Sequence, residues 1–215
     1  MRRRRGCAGC LLALPIFIAM TIGVYAVLVY PSIVRWEATA LETADRYPGD
    51  ELVSEPRLRA ARSVTINAPR EQVWSWLAQL GADRGGIYGS DWLAALSSPT
   101  VRSAAERQEL QPGDFVRFTP TAGIIQPVPG FHVIALEAPA FLIGCFGVEG
   151  RRAAACAHAW QFILQSPSAG STRLILRSHA ATPHLAATAW NKALQFPAWM
   201  LERGILLDIK ARAER

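Results

Sequence analysis

The sequence has few of the residue types on which catalytic and metal sites depend. It contains four cysteines and four histidines among 215 residues. Their order suggests no Ser-His-Asp or Cys-His arrangement, and Cys7 and Cys10 lack the second pair that a structural zinc site requires. We therefore expect no metal and no cofactor. The isolated acid–base candidates are His132, His158, His179, His184 and Asp91.

An excess of positive charge is lacking beyond the first five residues. The formal net charge is +6, and the arginines at positions 2–5 supply +4, which leaves +2 for the rest of the chain. No basic stripe interleaved with aromatic residues follows, although nucleic-acid binding is typically marked by one. The sequence pI of 9.6 therefore reflects the N-terminus, and we expect no nucleic-acid partner.

Charged side chains are absent from Cys7 to Tyr30, a run of 24 residues. A helix of that length spans about 36 Å, enough to cross a hydrocarbon core of about 30 Å. A cleaved signal peptide is the alternative, but its apolar region is shorter and ends at a small-x-small site, which "VLVYPSIVRW" lacks. The sequence predicts an uncleaved, single-pass transmembrane helix over residues 7–30.

The arginines decide the orientation predicted for this helix. Residues 1–6 form a basic tip, and such positive charge stays on the cytoplasmic side of the cell membrane. Tyr25, Tyr30 and Trp36 suit the opposite interface. We therefore expect a cytoplasmic N-terminus and an extracytoplasmic C-terminal domain, and the reversed orientation is the alternative.

The rest of the chain divides into a linker and one domain. Residues 31–60 are largely polar and are interrupted by Pro48-Gly49 and Pro56, which predicts a linker. The following pattern predicts a strand over "SVTIN", a helix over "APREQVWSWLAQLG", a series of antiparallel strands and a long C-terminal helix opened by Pro197. This order predicts an α+β domain over residues 61–215.

The stretch "RGGIYGSDWL" at residues 84–93 has the glycines of a phosphate loop but not its surroundings. A phosphate loop follows a strand and leads directly into a helix. Here a predicted helix precedes Gly85 and Gly86, and Ser90 or Asp91 caps a second short helix. The stretch is therefore interpreted as a turn between two helices, and a nucleotide site is not expected.

Eight segments in this order resemble one family of proteins. They are "PGDELV", "SVTINAPREQVWSWLAQLG", "RGGIYGSDWL", "LQPGDFV", "FHVIALEAP", "AWQFILQ", "GSTRLILR" and "MLERGILLDIKARAE", and together they cover residues 48–215. They are similar to the SRPBCC superfamily, the START/polyketide cyclase/helix-grip group, and to its membrane-anchored bacterial branch. The resemblance implies a curved antiparallel sheet that grips a long C-terminal helix around a hydrophobic pocket. It does not imply one activity.

The resemblance also suggests which residues face the pocket. His158 shares one face of a predicted strand with Trp160 and Phe162. Arg84 is a candidate for contact with a ligand head group. Packing or surface exposure is the alternative interpretation for each of these residues. The full set of pocket candidates is Trp74, Tyr88, Trp92, His158, Trp160, Phe162 and Met200.

Cys145 and Cys156 are candidates for a disulfide. If "FLIGCFG" and "ACAHAWQF" are neighbouring antiparallel strands that turn at Gly150-Arg151, the two cysteines face each other. An extracytoplasmic domain allows such a bond to persist. Two buried free thiols at unrelated positions are the alternative.

Three functions are compatible with these observations. The first is a membrane-tethered domain that binds a hydrophobic small molecule or lipid in the pocket. The second is a polyketide cyclase/dehydrase-like enzyme, which needs at least two polar groups converging in the pocket. The third is a protein-interaction domain whose interior is filled by Trp74, Trp160 and Trp190 and which exposes an apolar patch instead. No protein partner is identified by the sequence.

Overall fold

The computed structural model describes residues 8–82, 84–86, 109–119, 128–151 and 155–215. The N-terminal part contains α1 (Ala8–Val24), a π-helical turn (Tyr25–Val29), α2 (Tyr30–Val34) and α3 (Ala40–Ala44). The remaining elements are β1 (Leu58–Ile66), α4 (Arg70–Leu77), β2 (Phe115–Arg117), β3 (Pro129–Glu137), β4 (Phe141–Val148), β5 (His158–Ser168), β6 (Ser171–Ala180), α5 (Leu185–Ala193) and α6 (Gln195–Ala213). This order confirms the predicted α+β class.

The six strands form one antiparallel sheet in the order β1-β6-β5-β4-β3-β2. Chain neighbours from β2 to β6 are also neighbours in the sheet, and β1 closes the far edge against β6. Phe162 on β5, for example, pairs with Leu142 on β4 and with Leu176 on β6. Because side chains alternate along a strand, these residues share the inner face of the sheet.

In the part of the chain that the structure describes, two helices cover that inner face. α4 begins after Pro69, whose fixed φ suits a helix start, and buries Val73 and Leu77. α6 lies along the sheet and buries a stripe at helical spacing, formed by Glu202, Ile205, Leu206, Ile209 and Ala213. The first turn of α4 meets the C-terminal end of α6, since Gln72 Nε2 donates to the Ala213 carbonyl at 2.8 Å. The sheet therefore grips α6, as the resemblance implied.

The N-terminal helix continues from α1 through α2. Among the described residues, the stretch Ala13–Val34 is long and apolar enough to cross a membrane, a criterion that a signal sequence or a soluble core helix also meets. None of its most apolar window is buried in the rest of the chain, in contrast to a core helix. Its last turn does touch the domain, where Ile33 and Val34 are buried beside Ala60.

Residues 35–57, here called the outer strap, lie on the outer face of the sheet. Thr39 and Glu42 form a capping box at the start of α3. Glu42 also accepts from Arg173 Nε at 2.6 Å, and Asp50 accepts from Arg177 Nη1 at 2.7 Å. The structure thus differs from the predicted linker over residues 31–60. The polar residues of this segment pair with charged side chains of β6, and β1 already begins at Leu58.

Candidate functional site

A cavity of about 490 Å³ lies between α4 and the end of β3. It is called the α4 cavity below. Its walls are mainly apolar, with three polar side chains at their edge. The lining residues are Trp74, Ser75, Ala78, Gln79, Glu109, Leu110, Leu136 and Ala138.

The helical pattern of α4 explains how Trp74 reaches this cavity. Val73 and Leu77 are four residues apart and fully buried against the sheet, so they fix the orientation of the helix. Trp74 is adjacent to that stripe and is half-buried, with one side toward the core and the other toward the cavity. Of the pocket candidates in the described residues, Trp74 is the one that lines the α4 cavity.

Trp160 and Phe162 lie on the inner face of β5, but they are core residues. Their exposed fractions are 2% and 0%. The Trp160 ring packs edge-on against Phe146 with a centroid distance of 4.7 Å and lies 5.5 Å from Phe118. The interior around β5 is therefore filled with aromatic rings. These two residues do not line the cavities found among the described residues.

A buried ion pair joins β1 to α6 next to this aromatic cluster. Arg62, with no exposed surface, pairs with Glu202, which is 2% exposed. The indole Nε1 of Trp160 donates to Glu202 at 3.0 Å. Arg62 also donates through Nε to the Ile33 carbonyl at 2.9 Å and through Nη2 to Gln195 at 3.2 Å. Burial lowers the pKa of Arg62 to about 10, so it stays charged at neutral pH.

The sequence interpretation did not predict this ion pair. As a result, it also placed Met200 wrongly. Met200 was a pocket candidate, yet it is on the surface with 52% exposure, as is Phe196 with 44%. Glu202 occupies the buried position because Arg62 neutralises it. The available signal was Arg62 itself, which shares a strand face with Val64 and Ile66.

His158 faces inward, as expected, and is held by its neighbours. Its ring stacks on Phe146 at 4.1 Å with an interplanar angle of 6°, and its Nε2 lies 2.9 Å from Ser178 Oγ. Burial, and secondarily the proximity of His179, lowers the pKa of His158 to about 4. His158 is therefore neutral at pH 7 and is packed against an aromatic ring.

Of the other acid–base candidates, His132 and His184 form hydrogen bonds within the fold. The Nε2 of His132 donates to the Arg151 carbonyl at 3.0 Å, and His184 Nδ1 caps α5 by accepting from the Ala187 amide at 3.1 Å. His179 lies 3.7 Å from Asp50 on the outer face. Asp91 lies outside the described residues. Across the described ranges, no three His, Cys, Asp or Glu residues are grouped so that they could hold a metal ion.

Asp50 is the centre of a polar cluster between the outer strap and the sheet. It accepts from Gln161 Nε2 at 2.9 Å and from the Tyr47 amide at 3.1 Å, in addition to Arg177. Burial raises the pKa of Asp50, but these hydrogen bonds outweigh it and hold the pKa below its usual value. Burial first, and then the charge of Arg177, lowers the pKa of His179 to about 4. A polar cavity of about 400 Å³ adjoins the cluster.

The structure contains a disulfide between Cys145 and Cys156, with 5.7 Å between the Cα atoms. The strand register proposed for it is wrong, however. Cys145 pairs with Ala159 across β4 and β5, and Cys156 precedes the first residue of β5. Cys156 lies with Cys145 on the outer face, beside Glu51 and Leu52 of the outer strap. A groove of about 580 Å³ runs beside the bond, next to His132 and Ile134.

Among the described residues, Arg84 does not line the α4 cavity. Arg84 Nη2 lies 3.3 Å from Asp114 Oδ2, and the Arg84 side chain is 10% exposed, so it is engaged in an ion pair. Tyr88 and Trp92 lie outside the described residues, together with the end of the "RGGIYGSDWL" stretch. Its beginning is a turn in which the Gly81 amide donates to the Gly86 carbonyl at 3.2 Å.

The arrangement of the elements decides the fold. A six-stranded antiparallel sheet curves around one long C-terminal helix, with the shorter helix α4 after the first strand. The chain has a helix-grip fold. No family model matches the sequence, and no curated protein does.

Solved structures with this fold are similar to the chain. Protein Ms6760 from Mycobacterium smegmatis is 16% identical, with a TM-score of 0.48, and the match covers 72% of this chain and 89% of that one. The Aha1 dimer protein from Colwellia psychrerythraea is 14% identical (TM-score 0.41; 71% and 98% covered). The Polyketide_cyc-like protein Cgl2372 from Corynebacterium glutamicum is 16% identical (TM-score 0.43; 71% and 88% covered). The likeness concerns the fold.

Proposed function

We propose that the protein is a membrane-tethered helix-grip domain that binds a hydrophobic small molecule or lipid in the α4 cavity. The observation that carries the proposal is the cavity itself. Its volume of about 490 Å³ falls within the roughly 300–1,000 Å³ typical of small-molecule sites. Trp74, Leu110 and Leu136 give it an apolar lining, and Ser75 and Gln79 supply polar groups at the edge.

The tether is supported by the helix over Ala13–Val34, because none of its most apolar window is buried in the rest of the described chain. Tyr25 and Tyr30 lie toward its domain end and Trp36 just beyond it, and such side chains favour a membrane–water interface. An exposed apolar helix of 22 residues is more stable in the hydrocarbon core of a bilayer than in water.

The α4 cavity lies at the end of the domain remote from the tether. α6 connects the two regions, because Gln195 contacts Arg62 near α2 and Ala213 contacts Gln72 on α4. A helix of 19 residues is about 28 Å long. The ligand therefore enters the cavity well away from the anchoring turn, which favours a molecule that arrives from the aqueous side.

Native mass spectrometry of the full chain, released from detergent micelles, tests the proposal. We expect a bound species of defined mass, which solvent extraction then identifies. A polar metabolite in its place would contradict an apolar site, and a polyketide-like species would favour the enzyme of the cyclase/dehydrase type.

A filled cavity provides the matched comparison. Ala78→Phe places a ring in the α4 cavity, whereas Ala40→Phe adds the same ring at an exposed position of α3. We expect Ala78→Phe to lose the bound species and Ala40→Phe to retain it, with equal unfolding temperatures as the check on folding. Retention of the species by both variants would exclude the α4 cavity as the site.

A further inference from the structure

An apolar surface is exposed on α5 and on the first turns of α6. None of the nine residues of α5, all of them described by the structure, is buried. From Ala181 to Leu201 the sequence has one Lys, Arg, Asp or Glu, which is Lys192. The large apolar side chains on this surface are Leu185, Trp190, Leu194, Phe196 and Met200, with exposed fractions from 40% to 81%.

This surface is fixed beside the N-terminal helix. The Tyr25 hydroxyl donates to the Lys192 carbonyl at 2.8 Å, and the Lys192 ammonium lies 5.7 Å from the centre of the Tyr30 ring. The buried bond from Arg62 to the Ile33 carbonyl joins the same helix to β1. The position of α5 along the axis of the helix that is proposed to cross the membrane is therefore fixed.

The level of α5 follows from helix geometry. Tyr25 precedes Arg35, the first charged residue after the helix, by ten residues, or about 15 Å along the axis. A headgroup layer is roughly 5–7 Å thick on each side of the hydrocarbon core. With Arg35 at the water side of that layer, the contact between Tyr25 and α5 lies below the headgroups.

We infer that α5 and the first turns of α6 form a membrane-docking surface that enters the same leaflet from which the domain emerges. The occupant of this surface is lipid. Trp190 and Phe196 lie at the headgroup and upper acyl region, where aromatic rings are favoured. The Lys192 stem runs through the apolar layer and its ammonium reaches lipid phosphates. The inference rests on the transmembrane helix of the proposed function.

Quenching by brominated lipids in nanodiscs tests the docking surface on the full chain. The difference in fluorescence quenching between the native chain and Trp190→Phe isolates Trp190, which is 66% exposed and not needed for the core. The matched control is Trp76→Phe on α4, a half-buried tryptophan beside Arg212 that is remote from the tether and does not line the α4 cavity. We expect the Trp190→Phe difference to be the larger, and bromines near the headgroup end of the acyl chain to quench more than bromines near the tail end.

The outcomes separate this inference from the tether. Release of the full chain from membranes by alkaline carbonate would overturn the tether and the docking surface together. Retention in the pellet with no Trp190 quenching would overturn the docking surface alone. In that case, a loss of Trp190 exposure to an aqueous quencher in nanodiscs would point to a second copy or another protein on α5 instead of lipid.

Discussion

Glu202 is held in the interior by two donors, Arg62 and the indole of Trp160. Removing one partner of a buried pair leaves the other charge without compensation, which destabilises a protein by about 3–5 kcal/mol. We expect this loss for Glu202→Ala, measured as the free energy of unfolding of the chain in micelles.

The same helix offers the control for that measurement. Asp208 forms a partly exposed surface pair with Arg212 four residues away, and surface pairs contribute at most about 1 kcal/mol. Asp208→Ala should therefore have a small effect. Joint replacement, Arg62→Met with Glu202→Leu, should recover most of the stability lost in Glu202→Ala. Equal effects of Glu202→Ala and Asp208→Ala would show that the buried pair does not hold α6.

His158 makes the stability of the domain dependent on pH. Its pKa of about 4 in the folded chain lies below the value of about 6.5 in the unfolded chain, so the unfolded state binds the proton first on acidification. The stabilisation is complete above about pH 6.5 and is lost as the pH falls toward 4. The loss approaches about 3 kcal/mol, since each pKa unit corresponds to about 1.4 kcal/mol.

Urea midpoints at pH 7 and pH 5 measure this effect. His158→Gln keeps a donor for Ser178 but does not titrate, so its stability should decrease less on acidification than that of the native chain. His179, whose pKa is also lowered to about 4, acts in the same direction. Identical pH dependence in the native chain and in His158→Gln would mean that His158 is protonated within the fold.

The outer strap illustrates at the scale of an element why sequence alone misplaced a boundary. Residues 31–60 are polar, and polar composition with prolines is typical of linkers. In the structure, Glu42 and Asp50 are buried to a large extent by pairing with Arg173 and Arg177 on β6. Arg173 and Arg177 alternate with Leu174 and Leu176 along β6, but the sequence gives no sign of the partners of these arginines on the outer face.

Asp50→Ala tests whether the outer strap is part of the domain. The substitution removes the carboxylate that pairs with Arg177, whose side chain is 3% exposed. Hydrogen bonds to charged groups contribute about 1.5–3 kcal/mol. We expect a loss of that size and new proteolytic cleavage between residues 37 and 57. The exposed Asp45 serves as the control, and Asp45→Ala should change neither. Unchanged cleavage in Asp50→Ala would favour a strap held by its other contacts.

The disulfide links β4 to the segment before β5 across eleven positions of the sequence. A covalent loop of this length stabilises the folded state by about 3 kcal/mol in the chain-entropy model. We expect Cys145→Ala with Cys156→Ala to lower the free energy of unfolding by that amount, while reductant has no further effect on the variant. Equal stability of the native chain with and without reductant would show that the bond is not formed.

At the scale of the whole molecule, the fold was predictable because several weak signals had to agree in order. The strand "SVTIN", the helix containing Val73 and Leu77, the hairpin of β5 and β6 and the long C-terminal helix each have a clear periodicity. The site was less predictable. Trp74, Trp160 and Met200 have similar apolar character in the sequence, yet one lines the α4 cavity, one is core and one is on the surface. Contacts with residues distant in the sequence, such as that of Trp160 with Glu202, determine whether such a side chain lies in the cavity wall, the core or the surface.

The orientation of the N-terminal helix in the membrane decides whether the domain lies in an oxidising compartment, and therefore whether the disulfide persists. The arginines at positions 2–5 favour a cytoplasmic N-terminus, and a disulfide persists on the opposite, oxidising side. We expect a C-terminal alkaline phosphatase fusion to be active and a C-terminal fusion to a fluorescent protein that matures only in the cytoplasm to be dark. Alkylation without reductant should leave Cys145 and Cys156 unmodified in the same cells. An inactive phosphatase fusion with both thiols alkylated would place the domain in the cytoplasm. The predicted orientation and the disulfide would then both be wrong. A mixed result would separate them, because topology is set by the charges near the helix whereas the bond depends on the redox state around the domain.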